Sequence, residues 1–312
     1  MTMAMTVKAA VGIQTVSTVK SLAAEWLKFV DVNPATLVTY NRALKNFTLW
    51  LADNAIVEIT RAVVIKYRET LLQSLKATTV NLYLTCVKMF VKFLASQGIC
   101  PNFAENIKRA KVDNSVHSRA ALTVEECKEV FHAMTGGNEK SLRDKAIIGL
   151  MLATGLRCCE ICRLNVENIE RRGKKIFLKV HGKGRSDASD KVLLPAQCAA
   201  MIQAYLNLRG KVERKAALLV STSSRCKGAR LQTQTISRLA KKALNTAGFS
   251  GKCYTAHSLR HSFATNALTA GVEIRDVSKV LRHKSILVTE IYLHDLAEFN
   301  NNATVTVADL LF

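Results

Sequence analysis

The chain has no apolar run approaching the ~20 residues that a membrane-spanning helix requires, so no membrane span is expected. Its first residues, MTMAMTVKAAVGIQTV, lack the basic segment, solid apolar core and small-residue cleavage site of a secretory leader. An intracellular protein with reduced cysteines is therefore expected. Nine cysteines are scattered along the sequence, and the CCEIC run contains a C-x-x-C. No second pair at zinc spacing accompanies it, and the run lies in a helical pattern, so free buried or half-buried thiols are the reading. Internal repeats, low-complexity tracts and a dense metal-binding cluster of Asp and Glu are all missing. Acids are scarce altogether: 24 against 45 Lys and Arg, a net charge of +21. That imbalance points to a polyanionic partner, nucleic acid in preference to an acidic membrane.

What is present is enough apolar material, 49% of the chain, to build packed cores, and 312 residues, which favour two domains over one. Leu37, Tyr40, Leu44, Phe47 and Leu51 step by three and four, as do Val80, Leu84, Val87, Val91 and Leu94; both runs predict amphipathic helices. With weaker helices near residues 18–30 and 60–74, the spacing predicts a helical domain of four or five helices over residues 17–108, after an extension of residues 1–16. Residues 109–120, RAKVDNSVHSRA, have no periodicity and read as a linker. Thr123 and Glu126 form a capping-box pattern that opens a second domain, residues 121–312. There a helix through RDKAIIGLMLA stops at Gly155 and another starts in RCCEICRL. KKIFLKV and KVLLP read as strands joined by the basic tip HGKGRSDASD, and helices are expected near 196–208, 234–246, 257–269 and 273–282. The predicted fold is mainly α with a small antiparallel sheet. Residues 1–115 carry 14 basic and 7 acidic residues, so both domains are basic, as contact with one polyanion requires.

The stretch AHSLRHSFATNAL carries the first chemical signal. Leu259, Phe263 and Ala267 form an apolar stripe, while His257 and Arg260, three apart, fall on an adjacent face that suits an anion. In order along the chain stand TGLRCCEICRL, HGKG in the hairpin, HSLRHSFAT and LRHKSILVTEIYLH. This ordered set resembles the tyrosine recombinase (phage integrase) family over nearly the whole chain. The resemblance implies a helical, SAM-like core-binding domain followed by a mixed catalytic domain. It also implies a site made of Arg157, Lys183, His257, Arg260, His283 and the nucleophile Tyr292, with Glu160 in support. His261 is read as structural. One departure is visible: the glycine usual before the late histidine is Arg282 here.

The residue types suit the chemistry. A phosphodiester repels nucleophiles and gathers further charge in its transition state, and two arginines can grip its oxygens with paired donors without losing their protons. A tyrosine ordinarily loses its proton near ~10, and surrounding cations favour the phenolate. The resemblance implies that Lys183 protonates the leaving 5′ oxygen, that His257 handles hydrogen bonds and protons, and that Glu160 orients the arginine or a histidine. It further implies a site-specific DNA recombinase or integrase, working through a 3′-phosphotyrosyl intermediate without metal, ATP or other cofactor. Double-stranded DNA is the expected partner, bound by a homotetramer on two sites, with accessory DNA-bending proteins and a cytoplasmic, nucleoid-associated location. The alternatives are type IB topoisomerase-like relaxation and a non-catalytic DNA-binding accessory role. Residues 225–244 are a candidate major-groove helix, and the apolar end VTVADLLF docks on a neighbouring subunit or packs in cis.

Overall fold

The structure is a computed structural model that describes residues 16–112, 120–181, 190–300 and 308, with backbone only for residues 16, 17 and 294–300. The amino-terminal extension through residue 15, most of the expected linker, Lys183 and residues 301–307 and 309–312 of the carboxy-terminal tail lie outside the described residues. The chain divides into two compact units, Met1–Val116 and His117–Phe312.

Four helices build the described part of the first unit: α1 (Val16–Phe29), α2 (Pro34–Asp53), α3 (Arg61–Leu72) and α4 (Ala77–Ser96). Helix α2 starts where Asn33 caps it, accepting the Thr36 N–H at 3.0 Å, and Pro34 supplies a pre-set φ in the first turn. The three-four stripe of α2 turns inward, with Tyr40, Leu44, Phe47 and Leu51 buried against Val80, Leu84, Val87 and Leu94 of α4. Each fully buried side chain of this kind contributes about 1.5–3 kcal/mol. Aromatic rings fill the centre, Trp26 stacking on Tyr40 at 5.7 Å and Phe47 meeting Tyr67 edge-on at 4.9 Å. Beyond α4, Lys88 Nζ donates to the Ile107 carbonyl, and the Asn81 amide bonds Ala110 through both its oxygen and its nitrogen. The segment is thus tied to the first unit through Ala110.

The second unit opens with α5 (Val124–His132), whose Thr123–Glu126 box makes both of its bonds. It continues with α6 (Glu139–Thr154), α7 (Cys158–Arg163), a short 3-10 turn at Val166–Asn168, strands β1 (Ile169–Arg172), β2 (Lys175–Val180) and β3 (Asp190–Leu194), and helices α8 (Ala196–Arg209), α9 (Thr233–Thr246), α10 (Ala256–Thr269), α11 (Ile274–Leu281) and α12 (Leu287–Asn300). The architecture is mainly α with one small antiparallel sheet in the order β1-β2-β3. Register pairs Leu178 with Val192 and Ile176 with Leu194, so alternate residues of the hairpin face the core. Strand β1 is an addition to the two strands expected. Its sequence IERR has one apolar residue and leaves Arg171 and Arg172 exposed, so alternation could not reveal it. Helix α12 is likewise beyond the expected set. Helix α6 is central, with Ala146 to Met151 all buried, and packs against α8 and α10. No helix of the described residues is long and apolar enough to cross a membrane.

Candidate functional site

The site grows from three helix junctions in the second unit. At the first, α6 ends in Gly155, whose φ of 59° and ψ of 22° place it in the left-handed region that caps helices. An alanine Cβ there would lie 2.7 Å from Leu281 Cδ2 and 2.8 Å from Phe263 Cδ1, so the position excludes a side chain on both grounds. The turn delivers Arg157 to the N-cap of α7. Glu160, in the first turn of that helix, folds back: Oε2 accepts the Arg157 backbone N–H at 2.8 Å and Oε1 accepts Arg157 Nη1 at 2.7 Å. Its carboxylate has no exposed surface, while 19% of the Arg157 side chain is exposed. Of the two partners considered for Glu160, arginine or histidine, the structure has it on arginine.

Helix α10 provides the second junction. Five consecutive residues, Ser258 to Ser262, are buried, so this helix is enclosed on most sides and its apolar stripe does not describe its environment. Arg260 donates from Nη1 to the Gly155 carbonyl and from Nη2 to the Leu281 carbonyl, and Nη2 lies 3.1 Å from His283 Nε2. Burial, then repulsion by Arg157, lowers its pKa to about 10, which leaves it a cation at neutral pH. His257, one turn earlier on the same helix, is exposed where Arg260 is buried.

The third junction joins α11 to α12. Arg282 ends α11 in a left-handed conformation, and His283 follows with its Nδ1 2.8 Å from Thr289 Oγ1. A guanidinium only donates, so His283 Nε2 accepts from Arg260 and Nδ1 carries the proton toward Thr289. Burial first, then the positive charges of Arg260, Arg157 and Arg282, push the imidazole down to about 4, so it is neutral at physiological pH. Tyr292, on α12, stands between two imidazoles: its ring is edge-on to His261 at 4.7 Å and stacked with His283 at 6.2 Å. It packs on a small cluster of Ala264, Val277 and Leu281.

Arg157, Glu160, Arg260, His283 and Tyr292 thus come together from α7, α10, the α11–α12 turn and α12. Two neighbours were missed as site residues. His261 contacts the Tyr292 ring, and Arg282 binds Glu160 through Nε at 3.2 Å and Nη2 at 2.7 Å. The sequence signals for them were adjacency to Arg260 for His261 and, for Arg282, its place where the family usually has glycine before His283. Lys183 lies outside the described residues; the hairpin stem that leads to it closes with Val180 paired to Asp190. Among the described residues no group of three or more His, Cys, Asp or Glu side chains could hold a metal ion. All nine cysteines are free, and burial raises the Cys158 thiol on α7 to about 11.

Comparison with known proteins bears on what this arrangement is for. The model of the phage integrase family matches residues 120–298, and that of the phage integrase N-terminal SAM-like domain matches residues 25–98. The chain belongs to the phage integrase family. Within this tyrosine recombinase family, it is 38% identical to tyrosine recombinase XerC of Caldanaerobacter subterraneus subsp. tengcongensis over 58% of its own length and 48% of that protein's, about half of that relative. It is 31% identical to tyrosine recombinase XerA of Pyrococcus furiosus over 75% of both chains. In structure it is similar to the XerH site-specific recombinase in a post-cleavage complex with its palindromic difH substrate, with a TM-score of 0.72 at 18% identity, covering 95% of this chain and 85% of that one. A lambda integrase tetramer bound to a Holliday junction gives 0.67 at 18% identity over 90% and 78%. The phage integrase chain is accordingly a tyrosine recombinase, an enzyme of site-specific DNA recombination. Its relatives are recombinases by name, which favours strand exchange over DNA relaxation and over a non-catalytic accessory role.

Proposed function

We propose that Tyr292 is the nucleophile of this recombinase, and that Arg157 and Arg260 hold the scissile phosphate. The observation that carries this reading is the hydrogen-bonded and stacked chain from Arg260 through His283 to the Tyr292 ring. Three arginines, one glutamate and a neutral His283 leave the cluster with two surplus positive charges, which suits a phosphodiester that gains charge as it reacts. Tyr292 passes its phenolic proton to His257 and its oxygen bonds phosphorus on the 3′ side as the bond from phosphorus to the 5′ oxygen breaks. Lys183 gives that oxygen a proton, so a 5′-hydroxyl leaves. His257 serves the same phosphate by hydrogen bonding, and His283 holds Arg260. Rejoining is the reverse step with another strand's 5′-hydroxyl; the phosphotyrosyl bond conserves the energy of the cleaved linkage.

Both basic units grip duplex DNA in this reading, four copies of the chain act on two sites, and the tail after Tyr292 reaches a neighbouring copy. Accessory DNA-bending proteins complete the assembly, and the working location is the cytoplasm, at the nucleoid. The test uses Tyr292→Phe. It should bind duplex DNA as the wild type does yet form no covalent adduct, while the wild type gives a 3′ adduct and recombines two marked sites. A 5′ adduct, or undiminished trapping by the variant, rejects the assignment.

A further inference from the structure

Arg282 occupies an unfavourable backbone position for its residue type. Its φ of 56° and ψ of 46° are left-handed, a conformation that costs any residue with a Cβ; among the described residues positive φ falls mostly on glycine. Among the described residues only Ala55 and Asn106 share it without being glycine. Something in the tertiary structure compensates, and the side chain shows what. It is 6% exposed and reaches Glu160, 122 positions earlier, to which Nε donates at 3.2 Å and Nη2 at 2.7 Å; its Nη1 bonds the Val280 carbonyl.

The carboxylate that receives it already holds Arg157 through the backbone N–H and through Nη1. A buried anion against Arg157 alone would cancel the charge that the phosphate needs and would draw further Arg157 donors toward itself. With Arg282 present, one glutamate is shared by two guanidiniums and a full positive charge remains over. Burial by itself would raise the Glu160 carboxyl; Arg282 first, with Arg157, outweighs it and holds the group below the ordinary carboxylate range. Arg282, with both Nε and Nη2 on Glu160 and Nη1 on Val280, is committed to the protein and is not arranged to bind phosphate itself.

We propose that Arg282 is a positioning residue for strand cleavage: it neutralises Glu160 so that the Arg157 guanidinium stays oriented by that carboxylate yet keeps its charge for the phosphate. This rests on the reading of Arg157 and Tyr292 given above. It also assigns a purpose to the one visible departure of the sequence from the family pattern.

The test is single-turnover formation of the Tyr292 adduct at saturating DNA, on a duplex that the wild-type chain has captured covalently from a random-sequence pool. Arg282→Gly relieves the backbone and removes the cation. It should slow adduct formation roughly ten- to hundred-fold, since misplacing a group that grips the reacting phosphate is felt on that scale, with little change in affinity for the duplex. Adding Glu160→Gln removes the uncompensated anion and should recover most of the lost rate, an effect that a merely structural ion pair does not produce. Wild-type speed in Arg282→Gly, or a double variant slower than either single one, overturns the proposal. Should Arg282→Gly show no melting transition, Arg282→Lys and Arg282→Gln decide: a faster lysine variant supports charge neutralisation, and equal rates overturn it. A wild-type chain that captures no duplex from the pool sinks the nucleophile assignment itself, and this inference with it, which separates the two failures.

Discussion

Replacing Gly155 by alanine strains the turn on which both arginines depend, and its effect can be worked out from contacts. At φ +59° the new residue enters the left-handed region, which costs about 1–2 kcal/mol once a Cβ is present. That Cβ would meet Leu281 Cδ2 at 2.7 Å and Phe263 Cδ1 at 2.8 Å, and relieving such overpacking costs about 1–3 kcal/mol. Together these give about 2–5 kcal/mol, and at roughly 2–4 °C per kcal/mol for a unit of this size the melting point of the second unit should fall by roughly 4–20 °C. The damage is functional as well. Arg260 is held by the carbonyls of Gly155 and Leu281, the residue that must move and the residue it would strike. Adduct formation should therefore slow by roughly ten-fold or more, since an ångström of misplacement is felt strongly at a reacting centre. Calorimetry and single-turnover trapping measure the two effects. Gly173→Ala is the control: its φ is +57° but nothing lies within 4 Å of the added Cβ, so only the backbone cost applies and the rate should not change. A Gly155→Ala chain that melts within about 1 °C of the wild type, or that reacts at the wild-type rate, would refute the reasoning.

Other expectations concern protons and charge. Lys183→Ala should be severely slow on normal DNA but largely rescued when sulfur replaces the 5′-bridging oxygen, because a thiolate, with a conjugate acid near ~8.5, hardly needs a proton donor. Arg157→Ala, lacking charge stabilisation, should be rescued much less, and equal failure of both variants would demote Lys183 to a phosphate contact. His283 has its pKa lowered from 6.5 to about 4, so between those values the unfolded chain binds the extra proton and stability rises with pH. Thermal midpoints should decline as pH falls from 6.5 to 4, and less steeply in His283→Asn; parallel curves would contradict the buried neutral imidazole. Affinity for duplex DNA should fall linearly on a log–log scale as salt rises, with a slope of roughly −0.9 per phosphate neutralised, and a flat dependence would exclude the electrostatic grip.

Periodicity carried the helices because it is a local property. The three-four steps of α2 and α4, the Thr123–Glu126 box and the glycine stop at Gly155 each depend on neighbours within a turn or two, and the folded chain keeps them. Strand β1 and helix α12 were not legible in the same way. The first is stabilised by pairing with β2 along a charged edge, and the second follows a turn whose expected glycine is absent. Spacing puts His257 and Arg260 on one face of α10, and it is tertiary packing that encloses the arginine while leaving the histidine exposed.

The sequence by itself determined the class of fold, the basic character of both halves and five of the side chains that cluster, Arg157, Glu160, Arg260, His283 and Tyr292, since composition, period and ordered motifs are written along the chain. Only the tertiary structure decided that Glu160 serves two arginines, that His283 accepts from Arg260 and is neutral, that His261 flanks Tyr292, and that Arg282 takes a left-handed turn to reach back across 122 residues. Spacing tells which residues share the face of one helix. Which faces meet, and which charges lose their water there, depends on how α6, α7, α10 and α11 pack together, and burial then sets the hydrogen bonds and protonation that the chemistry uses.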